Sequence, residues 1–286
     1  MERKRTSFEE DGINIAALSF DSVEVLQHFA KRKGIGFSLL SDPDSKVIRA
    51  FGILNENISP KHQFYGIPHP GQYLIGKSGV VKAKFFEENY TQRFTAGEIA
   101  VRYLGKDLDA PRTQIETDHL ALSSWASDEI VAGGQRVALV LDIDLKEGMH
   151  VYAPGIDGYI PVDWTMEEVS GLVNYSPSYP ESEKLHLPAI EEIVPVYQGS
   201  VRFMTDIKLG RAKDLEHLLD EQGQLLVRGE LRYQACDDKI CYLPATIPLE
   251  WAFQLEAGDR TRVPEGLRRN PPKQSLETPK QGLESK

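Results

Sequence analysis

The chain has 286 residues, enough for two domains, since single hydrophobic cores stop growing beyond roughly 250–300 residues. Hydrophobic residues make up 41% and charged residues 27%, ordinary globular values, and the formal net charge of -10 argues against a nucleic-acid surface, which needs clustered Lys and Arg. No apolar run approaches the length of a transmembrane helix, and residues 1–12, basic and then acidic, lack the apolar stretch of a signal peptide.

Residues 1–105 alternate strand and helix. The continuous apolar run Ile13–Phe20 predicts a buried parallel strand. Asp21 is the expected cap of a helix over Ser22–Lys33, with Glu24 completing a capping box and Gly34 as the stop. Phe37–Asp42 predicts a second strand, and Pro43 opens a helix over Asp44–Ile53. Gln72–Gly76, a turn at Lys77–Gly79 and Val80–Phe86 predict a hairpin; Thr95–Gly105 predicts an amphipathic helix.

Residues 106–123 begin polar, aperiodic and proline-bearing, and predict a linker. From Ser124 to 257 the period changes to two. Arg136–Leu145, Val201–Leu209, Gln224–Cys236 and Ala245–Leu255 alternate strongly between Gly/Pro clusters, as in an antiparallel sandwich. Ala212–Gly223 reads as a helical excursion or a loop. Residues 258–286 are charged, proline-rich and poor in large apolar groups, so a disordered tail is expected.

The order of elements in the first part, with the stretches Phe37–Ile53 and Gly66–Phe85, resembles the redoxin (AhpC/TSA) branch of the thioredoxin-like fold over roughly residues 12–104. The resemblance puts Pro70 in the place of the cis-proline that faces the active cysteine in thioredoxin-like proteins. It also implies a cysteine at the start of a helix ahead of this region, yet residues 1–235 contain no cysteine. An α/β thioredoxin-like domain that is incomplete at its amino end is therefore expected, with no thiol-peroxidase activity of its own, because a peroxidase needs a thiolate. The resemblance further implies that the chain as written starts downstream of the full gene product's start.

The second part, over roughly Ser124–Glu256, resembles the immunoglobulin-like amino-terminal domain of the thiol:disulfide interchange protein DsbD. The match rests on Gly148–Pro154, Tyr179–Leu209 and above all Leu226–Trp251, in which Tyr233, Gln234, Cys236, Cys241, Tyr242 and Pro244 fit the family's paired-cysteine motif. The four-residue spacer Asp237–Ile240 is shorter than the five of some members. This resemblance implies a redox-active Cys236/Cys241 pair supported by Tyr233 and Tyr242. It implies thiol–disulfide exchange partners, thioredoxin-like or DsbD-type, and a periplasmic or cell-envelope location; the lack of a signal peptide in the chain as written leaves a cytoplasmic one open.

Cys236 and Cys241 are the only two cysteines. A bond between them closes so short a ring that its entropic stabilisation is only about 2 kcal/mol. That makes a weak staple and a suitable redox pair, since one thiolate attacks a partner's disulfide and the other resolves the mixed disulfide. A structural clasp and a metal site are the other readings, but no Cys/His pair at finger spacing accompanies the two thiols, and no cofactor or metal is expected. Asp237 and Asp238 beside Cys236 favour a raised thiol pKa and Lys239 a lowered one. Other features read as ordinary: His69 as a solvated loop histidine, Asp142 and Asp144 as the wet face of a strand, Tyr152, Tyr159, Trp164 and Tyr175 as sandwich core and loops, and Gly76–Gly79 as a hairpin turn. Two functions follow: a thiol–disulfide oxidoreductase relaying electrons through the pair, or a non-enzymatic redox-partner binding module with a structural disulfide and a degenerate redoxin domain.

Overall fold

The computed structural model of the protein describes residues 1–86, 93–187, 191–259 and 261–268. They divide into two compact units, Met1–Pro70 with 261–268, and Gly71–Asp259. Most of the expected tail falls outside the described residues; within 261–268 there is one 3-10 turn, Glu265–Leu267. Among the described residues no helix is long and apolar enough to cross a membrane.

In the first unit α1 (Arg5–Glu10) precedes β1 (Ala16–Ser19), α2 (Val23–Lys33), β2 (Ser38–Ser41) and α3 (Lys46–Ala50). β1 and β2 pair in parallel from Ala16 opposite Ser38 to Ser19 opposite Ser41, so α2 is the crossover such a pair requires. The cap of α2 is Ser22 rather than Asp21: the Ser22 hydroxyl accepts from the Val25 amide, while the Asp21 carboxylate is turned to the Ser19 hydroxyl at 2.6 Å. Gly34 ends the helix with φ 64°, as its sequence position predicts. α3 starts at Lys46, later than Pro43 suggests, because the buried Asp42 carboxylate reaches over to accept from the amides of Lys46 and Ile48, each at 2.9 Å.

Pro70 departs from expectation. No peptide bond among the described residues is cis, so His69–Pro70 is trans. The His69 amide donates to the Ile53 carbonyl at 2.6 Å, and the bond that follows takes the trans isomer, favoured intrinsically by about 0.5–1 kcal/mol.

The second unit opens with the predicted hairpin, β3 (Gly71–Ile75) and β4 (Val81–Phe86). This hairpin and the β1–β2 pair are separate two-stranded sheets. The thioredoxin-like expectation is met in its local elements: a parallel strand pair with its crossover helix in the first unit and a hairpin in the second.

The chain continues through β5 (Arg93–Phe94), α4 (Ala96–Leu104), β6 (Thr113–Glu116), β7 (Leu120–Ala126), β8 (Ile130–Ala132), β9 (Gln135–Leu145), β10 (His150–Tyr152) and β11 (Asp163–Met166). β12 (Leu172–Asn174), β13 (Glu183–Leu187), β14 (Glu192–Gln198), β15 (Ser200–Leu209), β16 (Gln224–Tyr233), β17 (Ala235–Cys236) and β18 (Ala245–Glu256) complete it. One sheet runs β12-β15-β9-β7-β6 with β5 alongside β9, and a second runs β11-β16-β18-β8. Their alternating inward residues, among them Leu139, Leu141, Phe203, Leu231, Leu249 and Trp251, form one core, as the period-two pattern requires. Residues 212–223 hold two 3-10 turns, Ala212–Asp214 and Glu216–Leu218.

Part of the predicted linker is strand: β6 pairs with β7 from Thr113 opposite Ser124, but only Ile115 of its four residues turns a half-buried apolar side chain inward, so the sequence carries little signal. α4 packs on β9 as part of the second unit, burying Ala96 through Val101. Gly97 allows that approach, since a Cβ there would stand 2.1 Å from the Ser127 carbonyl oxygen.

The helix brings Glu98 into a fully buried position without hydrogen-bond partners for either carboxyl oxygen. Asp206, also buried, accepts from Arg136 at 2.6 Å and Arg102 at 2.7 Å beside it. Burial first, and the Asp206 charge second, push the Glu98 pKa up to about 8 from an ordinary 4.5. Between those values the folded protein keeps a proton that the unfolded chain has released, so this group makes stability fall as pH rises through the window. Glu98→Gln, which mimics the protonated acid, is therefore expected to flatten that slope and to stabilise the protein more at pH 8 than at pH 5. Urea denaturation at the two pH values measures this; an unchanged slope would assign it to another group.

Candidate functional site

The predicted strand Gln224–Cys236 is two strands. β16 ends at Tyr233 in the sandwich; after Gln234 the chain joins a third sheet, β13-β14-β10-β17. There Ala235 and Cys236 lie opposite Val151 and His150 of β10. Cys236 is bonded to Cys241, with 4.0 Å between Cα atoms. The two sulfurs differ in environment: Cys236 is 1% exposed, packed with Tyr152, Val194 and Val196, whereas Cys241 is exposed. Ile240 and Leu243 beside it are exposed apolar residues, Leu243 at 88%.

The intervening loop is held by hydrogen bonds of its own. The Asp237 carboxylate accepts from the amides of Lys239 at 2.7 Å and Ile240 at 2.8 Å and from the Tyr242 hydroxyl at 3.0 Å. The Asp237 amide donates to the Ile240 carbonyl at 3.0 Å, and the Tyr242 amide to Ala235 at 2.9 Å. Gln234 Nε2 donates to the Tyr242 carbonyl at 2.8 Å. The backbone amides of Ile240 and Lys239 hold the Asp237 carboxyl below its ordinary value, and Asp237 in turn raises the Tyr242 hydroxyl pKa. Asp237 therefore acts on the loop backbone, a role its position beside Cys236 does not reveal.

Of the supporting candidates, Tyr242 belongs to this loop and its ring lies against His119, 4.3 Å between centroids. Tyr233 is a core residue: it is 1% exposed and donates from its hydroxyl to Thr117 Oγ1 at 3.1 Å. Pro70 ends the first unit, whereas both cysteines are in the second. Trp164 is in the core as expected, stacked on Trp251. Asp142 is not simply a wet-face residue. Although burial pushes its pKa up, hydrogen bonds from Arg202, Trp125 and Arg112 outweigh this and leave it below the ordinary value.

Two residues at the site escape a sequence reading. Tyr152 is not merely a core aromatic; its hydroxyl stands 3.8 Å from Cys241 Sγ, and its ring lies 4.4 Å from that of Tyr159. The Tyr159 hydroxyl bonds the Glu192 carboxylate at 2.5 Å, which pushes its pKa up to about 12. His150, opposite Cys236, is 1% exposed with neither ring nitrogen hydrogen-bonded. Both sit in the Gly148–Pro154 stretch, but nothing local in that sequence says which strand it will pair with.

Comparison with known proteins gives two separate matches. Residues 1–84 match the AhpC/TSA family, and residues 123–249 match the family of the thiol:disulfide interchange protein DsbD, N-terminal. Peroxiredoxin Bcp of Escherichia coli strain K12 is 32% identical over 74 residues, 26% of this chain and 47% of that protein. Peroxiredoxin Bcp of Xanthomonas campestris pv. campestris is 33% identical over 76 residues, 27% of this chain and 48% of that protein. Chloroplastic peroxiredoxin Q of Sedum lineare is 33% identical over 75 residues, 26% and 37% respectively. The chain spans about half the length or less of these curated relatives. Among solved structures, the N-terminal periplasmic domain of ScsB from Proteus mirabilis is 17% identical with a TM-score of 0.34, covering 51% of each chain. The reduced Neisseria meningitidis DsbD n-terminal domain is 14% identical with a TM-score of 0.27, covering 41% of this chain and 78% of that one. Two segments of the chain, in series, are thus each similar to a family: residues 1–84 to AhpC/TSA and residues 123–249 to the thiol:disulfide interchange protein DsbD, N-terminal.

Proposed function

We propose that the protein exchanges electrons with thiol–disulfide partner proteins through the Cys236–Cys241 bond. The observation that carries this is the contrast between the two cysteines, Cys241 exposed and Cys236 buried, in a loop that has hydrogen bonds of its own. A partner's thiolate attacks Cys241 Sγ, the S–S bond breaks, and Cys236 leaves as a thiolate. The partner's second thiolate then attacks its own sulfur in the mixed disulfide, which releases Cys241. Two electrons have entered the pair and the partner is oxidised; the reverse sequence reduces another protein.

The domain assignment in this reading is a redoxin-type segment over 1–105, a connection over 106–123, a DsbD-type sandwich over 124–257 and a tail beyond. The relatives of the first segment are peroxiredoxins, so a peroxiredoxin-type cysteine is the natural recipient of the electrons. A periplasmic or envelope location belongs to the same reading, since an exposed disulfide persists in an oxidising compartment.

Three outcomes are expected. Cys236→Ser should trap a stable mixed disulfide with a thioredoxin-type partner through Cys241, Cys241→Ser should not, and either should lose at most about 2 kcal/mol of stability. A wild-type pair with a reduction potential below roughly -300 mV, resistant to dithiol buffers, would instead mark a structural clasp and sink the exchange reading. Hydrogen peroxide consumption by the chain with dithiothreitol should not exceed that of the Cys236→Ser/Cys241→Ser double variant, because residues 1–235 hold no thiol. Finally, Tyr233→Phe should cost about 1 kcal/mol in urea denaturation, for its lost hydrogen bond, while leaving the rate of exchange unchanged. A large drop in that rate would give Tyr233 a part in the chemistry.

A further inference from the structure

Attack at Cys241 leaves a charge to be accounted for. The departing thiolate forms on Cys236, which is 1% exposed, and a buried thiolate is costly unless a proton or cation meets it. The strand register supplies a group for that purpose. His150 is directly opposite Cys236, and residues so paired share a face of the sheet with Cβ atoms about 4.5–5.5 Å apart. Tyr152, on the same face two residues on, stands edge-on to the His150 ring at 5.6 Å between centroids and carries its hydroxyl to 3.8 Å from Cys241 Sγ. His150 is 1% exposed with both ring nitrogens unpartnered, which is an unfavourable state for a polar side chain in the folded protein.

The charged or titratable groups that face it are Asp237 and Asp238 after β17, Cys236 on β17 and Tyr152 on its own strand; β14 sets the uncharged Gln198 opposite. Burial lowers the His150 pKa, and the two aspartates only partly oppose it, so with the disulfide closed the imidazole is neutral near pH 7.

We propose that His150 is the proton partner of Cys236. This rests on the reading that the disulfide exchanges with a partner dithiol. When the S–S bond breaks, its electron pair goes to Cys236 Sγ, and the new negative charge draws one proton from water to be shared between that sulfur and the imidazole. In the opposite direction the neutral imidazole accepts the Cys236 thiol proton. The thiolate so formed attacks the Cys241 sulfur of the mixed disulfide, and the partner leaves as its thiolate.

Two measurements on the full chain test this. The first is an NMR titration of the His150 imidazole in wild-type protein, oxidised and then reduced; its pKa is expected to rise by about one unit or more on reduction. The second is stopped-flow reaction of the reduced protein with 5,5′-dithiobis(2-nitrobenzoate). The first thionitrobenzoate reports attack by Cys241 and the second reports resolution by Cys236. His150→Gln should slow the second release by on the order of tenfold or more at neutral pH, leave the first unchanged, and lose its defect at high pH, where the thiol ionises unaided. An imidazole pKa that is the same in both redox states, or a second release as fast in His150→Gln as in wild type, would overturn the proposal while leaving exchange intact. A wild-type protein that gives no second release would defeat the exchange reading and this one with it.

Discussion

The point on which the site depends is the step the chain takes between Tyr233 and Ala235. Up to Tyr233 the backbone is a ladder strand of the sandwich, its register with β18 continuous from Gln224 to Tyr233. The buried Tyr233 ring and its hydrogen bond to Thr117 fix the end of that strand. Gln234 then bonds across to Tyr242, and Ala235 and Cys236 pair with β10 in another sheet. Because Cys236 is delivered into a pairing position, it is buried and oriented; because Cys241 follows an exposed four-residue loop, it is not. One backbone crossing thus makes two chemically identical residues different in access: Cys236 is buried and Cys241 exposed.

The rest of the second unit supplies a rigid frame for this crossing. Its core is contributed by the alternating inward residues of two sheets, and α4 covers part of the outer face of β9. Under that helix Arg102, Arg136, Asp206 and Glu98 form a buried polar group whose ion pairs are satisfied around Asp206 and whose remaining carboxyl is kept protonated by burial. The Asp237 carboxylate ties the disulfide loop together by accepting from the Lys239 amide and the Tyr242 hydroxyl.

The first segment contributes differently. It matches the AhpC/TSA family and holds a parallel β1–β2 pair with its crossover helix, yet residues 1–235 contain no thiol. The thiols of this chain are Cys236 and Cys241, and both belong to the second unit.

Much of this was legible in the amino-acid sequence. The period-two runs identified β9, β15 and β18 to within a residue and the start of β16, since a strand with one buried face must alternate. Gly34 and Gly105 marked helix ends because only a residue without a Cβ adopts the left-handed conformation cheaply. The cysteine pair and its flanking tyrosines were visible as a motif. What the tertiary structure alone decided was long-range: that β16 and β17 belong to different sheets, that α4 packs on the sandwich, that Pro70 is trans, and that Tyr233 serves the core while Tyr152 faces the disulfide. Local sequence determines which face of a strand is apolar, but not which distant strand will hydrogen-bond beside it. That choice is made by the packing of the whole unit, and here it sets His150 against Cys236.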